Sequence, residues 1–228
     1  MNERKTQWPA VAIVTLGCAK NTVDSERVAS LLESAGVHVT DDPEGAEVAI
    51  VNTCGFIEAA KEESIGTILD TAALKETGLL HTLIVTGCLS ERYGEELEET
   101  LPEADVLIGL DPPRTARAAL EALGYQEPLP AHCAMRSHRF TPSAWAYLRV
   151  AEGCDNRCAY CAIPSIRGPL VSRPMAEILD EGRYLVQHGA KELNLIAQDT
   201  TAYGRDRGSP RLHELLEKLC RLNGLRWL

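Results

Sequence analysis

VAIVTLGC (residues 11–18), VAIVNTC (48–54) and TLIVTGC (82–88) share one form: a short apolar run that stops on a cysteine. Runs of Val and Ile without polar alternation are what a parallel sheet covered on both faces requires. A helical pattern follows each: DSERVASLLESAG from Asp24, FIEAAKEESIGTILDTA from Phe56 and ERYGEELEET from Glu91. DVLIG (105–109) followed by RTARAALEALG (114–124) continues the rhythm, and VHVT (37–40) adds a further strand. Residues 1–125 are therefore expected to form an open parallel-sheet α/β domain. Asp24 is the expected N-cap of its first helix, with Gly36 just past the end.

Composition narrows the class. With 228 residues and 45% hydrophobic content, the chain can bury one large or two medium cores, and disorder is excluded. No apolar run approaches the roughly 18 residues of a membrane span, and MNERKTQWPA lacks the regions of a signal peptide. The chain is read as cytoplasmic, with no membrane partner. In that reducing compartment eight cysteines suit metal or redox ligation better than a disulfide framework. Net charge is -10, and residues 1–140 hold 23 acidic against 11 basic side chains while residues 141–228 hold 10 against 12. The acidic first part argues against broad nucleic-acid binding and reads as a solvated acidic surface.

Residues 126–142 lose the pattern, with three prolines in YQEPLPAHCAMRSHRFTP, and are expected to be a linker. A second β/α series occupies residues 143–228: AYLRVAEG, a cysteine loop, PMAEILDEGRYLVQHG, ELNLIAQ, PRLHELLEKLCRLNG, and Leu225–Leu228 as the start of a third strand. Two and a half units cannot close an eightfold barrel. The expectation is the N-terminal portion of a longer protein, or a fragment of one.

Cys154, Cys158 and Cys161 form a CxxxCxxC loop directly after a predicted strand. Three thiolates with no obvious fourth ligand leave an open coordination position, whether the metal is zinc or an iron–sulfur cluster. This spacing ahead of a β/α series favours the cluster, with zinc or inert thiols as the bland alternatives. Cys18, Cys54 and Cys88 each follow an apolar strand, so a parallel sheet would bring all three to its carboxyl edge, where ligands bind. Gly17, Gly55 and Gly87 would let backbone approach a bulky group. Asn21, Asp24, Ser25 and Asn52 could hydrogen-bond there, and have an equally good structural use as caps and turn residues. Cys133 and Cys220 are read as spare, the six histidines show no ligand spacing, and His132 and His138 are expected to be solvated.

EGCDNRCAYCAIPSIRG (152–168) resembles the radical S-adenosylmethionine (SAM) enzymes. Together with LGCAKNTVDSE, VNTCGFIEAA and VTGC, it resembles the methylthiotransferases, which add an N-terminal cluster domain to the radical SAM barrel. LVSRP and AQDTTAYGRD are most similar to the branch that methylthiolates an aspartate of small-subunit ribosomal protein number twelve; Ala19 departs from that branch's usual proline. The transfer-RNA adenosine branch is the alternative, as is a non-enzymatic metal-binding module.

The resemblance implies two 4Fe-4S clusters, one on Cys154, Cys158 and Cys161 that binds SAM, and one on Cys18, Cys54 and Cys88 that carries sulfur. It also implies methylthiolation at the aspartate β-carbon, a ribosomal-protein substrate, an electron-donor protein, and nucleic acid only indirectly through the ribosome. Tyr160 and Gln198 are the implied SAM contacts, with packing and turn roles as alternatives. Asp199 would touch SAM or substrate, or cap a turn, and Arg167 would pair with the carboxylate of SAM or substrate, or with a surface acid. No residue is singled out as a catalytic acid or base.

Overall fold

The computed structural model describes residues 9–126, 129 and 135–228. Two compact units divide the chain, residues 1–133 and 134–228. The expected linker at 126–142 falls partly outside the described residues, as do Cys133 and His132.

In the first unit five parallel strands form one sheet: β1 (Ala10–Thr15), β2 (His38–Thr40), β3 (Val48–Thr53), β4 (Thr82–Gly87) and β5 (Val106–Leu107), in the order β2-β1-β3-β4-β5. Ile13, Ile50, Ile84 and Val106 are paired in one row across four strands. Every residue of β3 is buried, so its Val and Ile side chains face helices on both sides of the sheet. One face packs against α2 (Glu58–Ala73) and α3 (Cys88–Thr100), where Ala12, Val51 and Val85 meet Ile68, Leu89 and Leu97. The helices α1 (Ala19–Ser34) and α4 (Pro112–Ala122) pack together, their Val28 and Thr115 sharing a cleft with Ile13 and Ile50 of the sheet. Complete burial of each such Ile contributes about 1.5–3 kcal/mol.

Helix starts differ from the expectation. Asp24 is not the N-cap of α1: Cys18 holds that position in extended backbone, and Asp24 lies buried inside the helix. The charged run from Asp24 onward marked the helix, but polar Lys20, Asn21 and Thr22 ahead of it hid the first turn. Gly36, at φ 81, ends the element as expected. Likewise α3 begins at Cys88, three residues before its charged run, and is kinked at Tyr93.

In the second unit β6 (Trp145–Arg149) pairs in parallel with β9 (Glu192–Ile196), and α6 (Met175–Gln187) is the crossover between them. Ile178 and Leu185 of α6 bury against Ala146, Leu148 and Leu193, joined by Leu215 and Leu219 of α7 (Leu212–Leu219). Beyond β6, β7 (Ala151–Glu152) pairs antiparallel with β8 (Val171–Ser172), enclosing the cysteine loop and a short helix α5 (Ile163–Arg167) that the sequence pattern did not announce. The expected third strand is present as one parallel bridge, Glu192 to Trp227.

Under this sheet lies a buried ion-pair chain. Glu181 of α6 accepts from Arg136 Nε at 2.8 Å and from Arg173 Nη1 at 2.6 Å, and Arg136 also donates to the Tyr147 carbonyl. Arg173 in turn reaches the Arg149 carbonyl at 2.7 Å.

Candidate metal centres

The strand order of the first unit reverses between β1 and β3, so the chain leaving these strands goes to different faces of the sheet. That divergence opens a crevice at the carboxyl edge, the usual ligand position in open α/β sheets. Cys18, Cys54 and Cys88 lie just beyond the ends of β1, β3 and β4, three adjacent strands. At a strand spacing of about 4.8 Å, the three strand ends fall within about 10 Å of one another.

Asn21, fully buried, is the tether at the centre. Its amide donates to the Leu16 carbonyl at 2.8 Å and the Thr53 carbonyl at 2.9 Å, joining the segments after β1 and β3. Its side-chain oxygen accepts from the Cys88 thiol at 3.7 Å. Asn52 answers from β3, donating to the Asn21 carbonyl at 2.9 Å and the Ser25 hydroxyl at 2.8 Å. Asn21, Ser25 and Asn52 thus act as structural hydrogen-bonding groups.

Glycines permit the approach. A Cβ on Gly17 would stand 2.9 Å from Cys54 Cβ and 3.2 Å from Cys54 Sγ. One on Gly55 would stand 2.8 Å from Leu89 Cα, so the chains bearing Cys54 and Cys88 are in backbone contact. Ser64, from the middle of α2, fixes Cys54 by accepting from its N–H at 3.0 Å and donating to its carbonyl at 2.9 Å. Arg92 donates to the Gly55 carbonyl at 3.0 Å. Ser64 carries no signal in the sequence, because its partner is ten residues away and sits outside the helix.

Two buried polar atoms in this region, Asn52 Oδ1 and Ser90 Oγ, make no hydrogen bond. Ser90 lies in the first turn of α3, two residues past Cys88. Thiols outside any disulfide on three neighbouring strand ends, with an uncommitted hydroxyl beside them, fit the donor set of a thiolate-held cluster.

In the second unit, Cys154, Cys158 and Cys161 lie between β7 and α5, all free; Cys154 and Cys161 are half-buried and Cys158 is exposed. Cys154 N–H donates to the Gly168 carbonyl at 3.1 Å, and Asp155 accepts from Leu170 N–H at 3.0 Å, fixing the start of the loop. Gly153, at φ 67, is pressed against the Pro169 carbonyl where no side chain fits. Asn156 donates to Asp199 at 2.9 Å, and Arg157 turns the loop through φ 48, a left-handed conformation unusual outside glycine. Among the described residues, no three His, Cys, Asp or Glu side chains are gathered closely enough to hold a metal ion. Backbone therefore brings each cysteine set into one region, without drawing the side chains into a ligating group. The thiolate chemistry and exposure of this second set fit a cluster open to solvent on one side.

The remaining predicted residues sort clearly. Tyr160 is 88% exposed and does not pack against the core. Gln198 is half-buried just beyond the end of β9. Asp199 caps a short turn at Thr200–Ala202, where the Thr201 hydroxyl and then the Asn156 amide hold its carboxyl below the usual range. Arg167 is buried and pairs with Glu152 at 3.2 Å; Arg149 reaches the other oxygen of that carboxylate at 2.9 Å. Glu152, one residue before Gly153, was missed in the sequence because its partners come from different elements. His138 is half-buried and edge-on to Phe140 rather than solvated. Cys220 is an exposed C-cap of α7.

Residues 10–109 match the family described as Uncharacterized protein family UPF0004, and residues 148–227 match the radical SAM superfamily. One cysteine set lies in each matched segment, and the pairing of the two segments is similar to that of the radical SAM methylthiotransferases. Among its relatives are proteins named ribosomal protein uS12 methylthiotransferase RimO. The one from Clostridioides difficile is 44% identical, over 96% of this chain and 51% of its own length; the one from Geobacter sulfurreducens is 46% identical, over 96% and 51%. The chain therefore spans about half the length of the curated relatives it matches. In fold it is similar to a radical SAM methyltransferase, TsrM, from Kitasatospora setae, a structure described with cobalamin and a [4Fe-4S] cluster bound. That match has a TM-score of 0.61 at 13% identity and covers 97% of this chain and 56% of the other.

Proposed function

We propose that this chain takes part in methylthiolation of the β-carbon of an aspartate in small-subunit ribosomal protein uS12, by radical SAM chemistry. The observation that carries the reading is the placement of Cys18, Cys54 and Cys88 at one switch-point crevice, in a chain that also bears the CxxxCxxC loop. Relatives at 44–46% identity that bear the uS12 methylthiotransferase name support the ribosomal substrate over transfer RNA.

Cys154, Cys158 and Cys161 would hold one 4Fe-4S cluster, and Cys18, Cys54 and Cys88 a second. When bound, the first supplies the electron that cleaves SAM to a carbon radical able to take hydrogen from an unactivated carbon, and the second carries the sulfur to be transferred. The chain's own residues supply position. Asn21 and Ser64 hold the three strand ends in register at the first site, and Gly17 and Gly55 leave room for close backbone approach. At the second, Gly153, Asp155 and Asn156 fix the loop, and Gln198 stands at the end of the neighbouring strand, where it would contact SAM. Tyr160, exposed beside the ligands, would cover the cofactor's open side. An electron-donor protein would dock where Cys158 is accessible, and the site of action is the cytoplasm; among the described residues no helix is long and apolar enough to cross a membrane.

Peptide mass analysis of uS12 from cells with and without this gene tests the reading. Loss of a methylthio mass shift on one aspartate is expected; an unchanged uS12 together with altered transfer RNA would overturn it.

A further inference from the structure

The segment from Cys154 to Cys161 is anchored at its start to the strand β8 side, by Cys154 N–H on Gly168 and Asp155 on Leu170 N–H. Its middle reaches in another direction. Asn156 is two residues from Cys154 and two from Cys158, and its amide donates 2.9 Å to Asp199 Oδ2, beyond the end of β9. The other carboxylate oxygen of Asp199 accepts from Thr201 N–H at 3.0 Å and from the Thr201 hydroxyl at 2.6 Å. One carboxylate thus faces two ways, each oxygen committed to a different segment.

We propose that Asp199 is a positioning residue: it ties the three-cysteine loop, through Asn156, to the strand end that presents Gln198. This rests on the reading of Cys154, Cys158 and Cys161 as cluster ligands. Because Asn156 lies midway between two thiols, fixing it fixes the approach of both. Because Gln198 precedes Asp199 directly, the same tie sets the spacing between the thiols and the side chain at the strand end. Arg157, at φ 48, follows Asn156 immediately. A non-glycine residue keeps such a conformation only where its surroundings hold it, and the Asn156–Asp199 bond is one such restraint. Asp199 therefore acts through the loop and is not assigned a contact with the reacting atoms.

A charge swap across the bond separates this role from simple capping. Asn156→Ala removes the tie and leaves the Thr201 cap intact, and Asn156→Asp sets two carboxylates against each other. In the pair Asn156→Asp with Asp199→Asn, the new amide at 199 donates to the carboxylate at 156 while its carbonyl keeps Thr201. Hydrogen exchange on the metal-free full chain should show residues 156–161 exchanging about fivefold faster in each single variant, with Thr201 unchanged in Asn156→Ala. The swapped pair should return to within about twofold of wild type. On the anaerobically reconstituted chain, the reduced-cluster electron paramagnetic resonance signal should lose its SAM-induced shift in the single variants and regain it in the pair. Wild-type exchange in Asn156→Ala, or no recovery in the swapped pair, overturns the tie. A wild-type chain that binds no iron instead sinks the cluster reading on which it rests.

Discussion

Asn52 Oδ1 lies 2.5 Å from the point where a Cβ on residue 87 would stand, and the Thr53 carbonyl lies equally close to it. Gly87 also has φ 104, so the turn from β4 into Cys88 admits glycine on both steric and conformational grounds. Gly87→Ala is expected to cost about 3 kcal/mol or more, because neither β3 backbone nor the doubly bonded Asn52 can retreat. Urea unfolding measures this. A loss under about 1 kcal/mol would show that the β3–β4 edge is looser than described.

Asn21 carries a comparable burden by hydrogen bonding. Asn21→Asp replaces a donor to two carbonyls by a carboxylate facing them, and about 2–4 kcal/mol of stability should be lost. Asn21→Ala should lose less, because the carbonyls go unmet without added repulsion. Equal losses for the two variants, read from denaturant midpoints, would contradict the tether.

Ser64 offers a separation of stability from metal retention. Ser64→Ala leaves the Cys54 N–H and carbonyl without that partner, at a cost of about 1–3 kcal/mol. Iron retained by the first unit after reconstitution should fall relative to wild type, while that of the second unit stays unchanged. Iron analysis in a background lacking Cys154, Cys158 and Cys161 reads the first unit alone.

In the second unit, Glu181→Ala would remove the carboxylate that Arg136 and Arg173 share beneath the sheet. Arg136 and Glu181 side chains are 1% and 4% exposed, so loss of this buried ion pair should cost about 3–5 kcal/mol. Calorimetry should show a lower melting temperature for the second unit's transition; a change within error would contradict the buried pairing.

Acid should act on surface carboxylates of this unit later than usual. Burial pushes the Asp206 carboxyl up, but hydrogen bonds from Ser172 and the nearby Arg207 outweigh it and leave it below the usual range. Lys218 and then Arg211 lower that of Glu214. A carboxyl held low in the folded state contributes stability that is present above its unfolded pKa and lost as pH falls through the folded value. Carboxyl-carbon NMR titration should place both midpoints below the ordinary carboxylate values, and midpoints at or above those values would refute the assignment.

The βαβ order and the strand-end position of three cysteines were legible because unalternated Val and Ile runs have few other uses. Helix starts were not: the first turns of α1 and α3 are made of residues whose side chains serve the crevice, so their local pattern is not helical. Asp24 looked like a cap for that reason. Ser64, Asn156 and Glu152 were invisible because their significance depends on partners from other segments, which no local period encodes. Arg167 offered a choice of partners in sequence, and only the fold supplied Glu152. Tyr160 sits between two cysteines in sequence, and its own ring is left exposed.

Each unit is expected to hold its own iron–sulfur cluster on three cysteines. The deciding measurement is iron and sulfide analysis after anaerobic reconstitution, on wild type, on the triple variants Cys18→Ala/Cys54→Ala/Cys88→Ala and Cys154→Ala/Cys158→Ala/Cys161→Ala, and on the sixfold variant that combines them. Each triple variant should lose about half of the wild-type iron, and the sixfold variant should bind none. Full iron retention in either triple variant, or zinc in place of iron in the wild type, would contradict it.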